Sequence, residues 1–275
     1  MSRLRAHLGA ALNRWLRLTR VRIASQAFFF ALFVLAVWAT WTSRLGGYPV
    51  SALLELDPLV MLSTALATGY VYKLLGWGLI VVVITFLFGR VFCNWICPYG
   101  TLHQFIGWMF DNRSGTQRIE QNRYHPIQFL KYSILIGFLL MSAMGALQIG
   151  LLDPIVMMYR AMATFFAPIL DTALGRLSGA TENLGVDSSL LDTLKFAPGV
   201  EHRIFVGSFW IGMIFLFFVL INLWKPRFFC RFVCPLGALR GVMASKSVFR
   251  INRIVEECTD CALCVFRCEG ASDPR

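Results

Sequence analysis

The sequence predicts an all-α membrane protein: four transmembrane helices in two parallel two-span repeats, followed by a short cysteine-rich segment. Three observations predict it. The 275 residues are 57% hydrophobic with a mean hydropathy of +0.63, above the roughly 45–50% apolar share of soluble domains on a count that also includes glycine. The apolar residues gather in four blocks, 23–41, 74–92, 132–152 and 204–224, each near the ~20 residues that cross a hydrocarbon core. Two stretches of sequence also occur twice.

The first repeated stretch is FCNWICPYG at 92–100 and FCRFVCPLG at 229–237. Each copy closes an apolar block. Each holds two cysteines four apart, a proline and a glycine. The second stretch is LDPLVMLSTALAT at 56–68 and LDPIVMMYRAMAT at 152–164, identical at eight of thirteen positions. It is apolar but too short to span, so it reads as an interfacial or re-entrant helix starting near Pro58. The LDP copies lie 96 residues apart and the cysteine copies 137 apart. The difference of 41 is an insertion around 165–204. The organisation is therefore a basic N-terminus (1–22), a first membrane repeat (23–109), a loop (110–126), a second repeat with the insertion (127–245), and a C-terminal segment (246–275). Repeats of equal orientation are related by an axis along the membrane normal. Such an axis brings Cys93 toward Cys230 and Cys97 toward Cys234.

The cysteine spacing carries chemistry. Residues four apart on a helix share a face. Proline suits the first position of a new helix, which places Cys97 and Cys234 at helix N-termini, where the dipole favours a thiolate. Thiolates bind soft metals. Cys93, Cys97, Cys230 and Cys234 are thus expected metal ligands, for one shared [4Fe-4S] cluster or for copper(I).

Basic residues set the orientation. Segments 1–22, 89–131 and 225–275 hold 20 of the 26 lysines and arginines, and the intervening loops hold six. The positive-inside rule puts both termini and the central loop in the cytoplasm. The net charge of +11 is then a topology signal with some contact to anionic lipid, and nucleic acid is not expected as a partner. The basic N-terminus reads as a surface amphipathic helix and an uncleaved anchor. All eight cysteines face a reducing compartment, which argues against structural disulfides.

Four cysteines remain: Cys258, Cys261, Cys264 and Cys268, in CTDCALCVFRC. This is the bacterial ferredoxin spacing, and it points to a [4Fe-4S] cluster rather than zinc. Glu269 follows the fourth cysteine in place of the usual proline. Two-cluster ferredoxins carry a second such run, so a second cysteine run is expected beyond residue 275.

With paired FCxxxCP motifs closing spans two and four and a ferredoxin-type tail, the chain resembles the NapH/NosR-type family of polytopic iron–sulfur membrane proteins over about residues 20–270. That resemblance implies electron transfer at the bacterial inner membrane between quinone or quinol and other redox subunits. It also implies a subunit rather than a stand-alone enzyme. The cupric-reductase assembly factor of cytochrome oxidase shares a related cysteine motif and gives the alternative, a copper-handling protein.

The remaining motifs say less. Ser178–Thr181 reads SGAT, the core of covalent flavin sites, but Gly175 stands where an acidic residue is usual; FMN is not expected. No histidine lies inside a span, so haem is not expected. His103, six residues after Cys97, reads as a surface residue, with contact to quinol or a cluster as the alternative. Tryptophans near span ends form an aromatic belt, and no residue set suggests hydrolysis.

Overall fold

The computed structural model describes residues 2–41, 54–71, 76–110, 115–183, 206–249, 256, 258–259 and 261–268. Among these residues every regular element is helical. Helix α1 (Ser2–Trp41) runs unbroken through the expected N-terminal segment and the first apolar block. Two helical stretches are long and apolar enough to cross a bilayer, Leu18–Ala39 and Pro126–Ala143.

Three of the helices are shorter than their apolar blocks. α3 (Trp77–Phe88) stops at Gly89, whose φ of 72° ends the helix before residue 92. α7 (Leu130–Ala143), entered through a 3-10 turn at Pro126–Phe129, ends before Gly145 (φ 86°) rather than at 152. α10 (Ser208–Leu220) passes into a 3-10 turn, Ile221–Leu223.

Both LDP segments start helices at their prolines. α2 (Pro58–Thr68) is capped by Asp57, whose side chain accepts from the Leu59 N–H at 2.8 Å. α8 (Pro154–Ala161) is capped by Asp153, which accepts from Ile155 N–H and Val156 N–H. An aspartate before a proline at the first helical position is a strong helix start. α8 continues through a π turn, Met162–Phe166, into α9 (Ala167–Asn183). The insertion thus begins as helix, and Ser178–Thr181 lies within it; residues 184–204 fall outside the described set.

The repeats pack reciprocally. α5 (Pro98–Phe110), behind the first cysteine motif, lies against α1, Ile221–Leu223 and α8. α11 (Pro235–Ala244), behind the second, lies against α7, α3 and α2. These are equivalent sets, so each repeat's post-cysteine helix rests on the LDP helix of the other. A pseudo-two-fold relation accounts for that pattern. The core between them collects Phe33, Leu59, Tyr99, Met158, Phe215, Phe229 and Leu236, all essentially buried.

Candidate iron–sulfur site

Each cysteine motif folds as a tight helical turn ended by its proline. The first is α4 (Val91–Trp95), the second a π turn, Phe229–Val233. In both, the second cysteine's N–H reaches five residues back: Cys97 N–H to Phe92 C=O and Cys234 N–H to Phe229 C=O, each at 2.9 Å. This is a π-type bond, not the α bond that the spacing suggests. Proline disfavours helical geometry in the residue before it, and Cys234 is extended, at φ −60°, ψ 110°.

From there the thiol caps the next helix. Cys234 Sγ accepts from the Gly237 N–H at 3.1 Å. The glycine of CPxG is required by close approach: a Cβ on Gly100 would lie 2.6 Å from the Cys93 carbonyl oxygen.

The two motifs abut. The Tyr99 ring, in the first, packs edge-on to Phe229, in the second, with centroids 5.0 Å apart. Arg227 donates through Nη1 to Asn94 Oδ1 and through Nη2 to Gln104 Oε1 at 2.8 Å. The four thiols feel one another: Cys93 and Cys230 act on Cys97, and Cys230 and Cys93 act on Cys234. The expected meeting of Cys93, Cys97, Cys230 and Cys234 in one neighbourhood is therefore observed. The expected approach within the few ångströms that a shared metal or cluster demands is not shown. Among the described residues, no three His, Cys, Asp or Glu side chains close on one point as a lone metal ion requires.

Burial reverses the expected thiolate character. It pushes the Cys97 and Cys234 thiols well up, and the N–H donors from Gly100 and Gly237 offset this only in part. Cys230 rises to about 11, mainly by burial. These thiols stay protonated until a metal displaces the proton.

Around them sit polar groups with no partner. Arg240 is 0% exposed, and its Nε, Nη1 and Nη2 make no hydrogen bond. Its guanidinium lies 3.6 Å from the Phe92 ring centroid and acts on both Cys97 and Asp57. His103 holds the equivalent position, 137 residues earlier. It is 1% exposed with both ring nitrogens unpartnered, so the surface reading of His103 is corrected. Burial, first of all, pulls its pKa down to about 4. Clustered thiols beside a buried cation that makes no hydrogen bond suit an anionic, thiolate-ligated group.

The C-terminal motif docks on this assembly. α12 (Leu263–Arg267) packs on α6 (Gly115–Asn122). Cys258, Cys261 and Cys264 are exposed and Cys268 is half-buried. Arg231, inside the second CxxxC, donates to the carbonyls of Gln121, Asn122 and Arg123 at 2.8, 3.2 and 3.1 Å, and Cys268 acts on it electrostatically.

Sequence reasoning marked all eight cysteines. It missed Arg240, Tyr99 and the two LDP aspartates as parts of the interior. Their equivalence within the repeats was the available signal.

Comparison with known proteins agrees with this geometry. The 4Fe-4S binding domain family matches residues 72–117 and 206–253, one stretch in each repeat. Each stretch contains a CxxxCP motif. This defines an iron–sulfur protein of the electron-transport class. Within that class the chain is similar to the NapH/NosR-type, ferredoxin-type 4Fe-4S proteins. It is 26% identical to YccM of Escherichia coli (strain K12), over 93% of this chain and 67% of that protein. It is 26% identical to the ferredoxin-type protein NapH of the same organism, over 93% and 75%. It is 25% identical to the regulatory protein NosR of Stutzerimonas stutzeri, over 66% of this chain and 20% of NosR. No solved structure matches the chain.

Proposed function

We propose that this chain is a multi-pass subunit of the bacterial inner membrane, with cytoplasmic termini. It passes single electrons between the quinone pool, or a cytoplasmic donor, and a partner reductase system on the periplasmic side. Cys93, Cys97, Cys230 and Cys234 hold one [4Fe-4S] cluster between the repeats, and Cys258, Cys261, Cys264 and Cys268 hold a second. A bound [4Fe-4S] cluster supplies one-electron chemistry at a potential tuned by hydrogen bonds and burial. The chain's own part is to fix the thiols, exclude water and present the two sites to each other.

The observation that carries this reading is Arg231. It projects from the second membrane-edge motif to the end of the helix on which α12 docks. Two cysteine sets tied by one side chain make a relay; an isolated metal-storage site has no use for the second set.

Metal analysis of anaerobically purified protein tests it. Iron with matching acid-labile sulfide is expected. Cys261→Ser should remove the C-terminal share and Cys97→Ser the membrane-edge share. Copper without sulfide would replace this reading with the copper-handling one.

A further inference from the structure

The cysteine-site reading leaves two buried carboxyls unused. Asp57 and Asp153 are equivalent residues of the LDP repeat, each 0% exposed. In each, Oδ1 caps a helix while Oδ2 has no donor, not even a thiol. The two side chains lie within hydrogen-bond reach of each other. Two bare carboxylates so placed repel in a low-dielectric interior, and one proton turns the repulsion into a hydrogen bond.

A third group points to the same place. The buried, unpartnered Arg240 guanidinium attracts Asp57 from α11, and Cys234, at the start of that helix, interacts with Asp153. The other packed elements add little. α3 and α10 carry no titratable side chain; α7 offers only Lys131 and Tyr132 in its first turn, and α5 offers Tyr99 and His103.

We propose that Asp57 and Asp153 form a buried proton-binding site that couples proton uptake to the arrival of an electron at the neighbouring cysteine site. The inference rests on the electron-transfer reading above. With one shared proton, the pair carries one negative charge, which Arg240 balances. An electron delivered by a one-electron donor adds negative charge beside Cys234. The pair answers by taking one proton from water, so that charge is conserved and no bond but O–H forms.

Asparagine is as good a helix cap as aspartate, so Asp57→Asn and Asp153→Asn keep both helix starts and remove the ionisable oxygen. Infrared difference spectra of the iron-loaded protein, reduced minus oxidised, should show a protonated-carboxyl band that shifts in heavy water and is lost in either variant. The membrane-edge cluster's midpoint potential should fall with rising pH, by up to about 59 mV per unit for one proton per electron. In the variants it should lie flat. An absent band means both carboxyls are ionised, as around a bound cation, and overturns the proposal. A flat profile in the unsubstituted protein overturns it too. A preparation without iron or sulfide fails the electron-transfer reading instead, by a separate measurement.

Discussion

The side-chain amide of Asn122 donates to the backbone carbonyl of Val265 at 3.0 Å, and both residues are buried. This single bond joins segments 143 positions apart. Arg118 lies over the Phe266 ring on the same face, 5.6 Å from its centroid. The C-terminal cysteine segment is thus held to α6 by specific contacts, beside the carbonyls that Arg231 gathers.

Asn122→Ala removes that donor and leaves the Val265 carbonyl with only the Cys268 N–H at 3.3 Å, a cost of about 1 kcal/mol. Amide exchange around residues 263–268 should accelerate severalfold or more, while exchange in α2 stays unchanged. Equal exchange in the variant would show that α12 is held by something else.

Gly100→Ala should destabilise the protein by about 1–3 kcal/mol, as overpacking does, because the new methyl meets a backbone carbonyl at 2.6 Å. Gly237→Ala meets the Cys230 carbonyl at 3.4 Å and should cost clearly less. Thermal melts of the two variants give the order; a reversed order contradicts the packing described for the first motif.

Topology has its own test. With 20 of 26 basic residues in the segments assigned inside, a reporter fused after Asp187 should behave as periplasmic and one after Asp111 as cytoplasmic. The opposite pattern would invert the chain.

Burial lifts Cys230 from its ordinary 9.0 to about 11 in the folded chain. In metal-free protein the folded state therefore holds a proton that the unfolded chain has already released. The stability this thiol contributes is complete below about pH 9 and is lost as pH rises toward about 11. Melting temperatures of metal-free protein should fall across that window, and Cys230→Ser should flatten the fall.

Much of the architecture was legible because the repeats carry it. Pro58 and Pro154 mark helix starts that need only an aspartate and a proline, both local signals. The joining of the two CxxxCP motifs followed from the duplication. What was not legible depended on tertiary context. Gly89 and Gly145 end helices inside apolar runs, where composition alone reads a continuous span. His103 looked like a loop residue because nothing in its neighbourhood records that α8 and Asn222 would cover it. The LDP aspartates read as markers of organisation, since their meeting depends on two helices 96 residues apart.

The reciprocal packing of α5 on α8 and of α11 on α2 has a consequence for biosynthesis. When the first repeat emerges from the ribosome, the surface that α5 must rest on has not been made. Cys93 and Cys97 wait without their counterparts until translation has passed Ala244, which completes α11. On the proposed reading of a shared site, the four cysteines are therefore brought together late and all at once. A truncation within the second repeat should leave the first pair of cysteines open to oxidation and to quality-control proteases, rather than leave half a working centre.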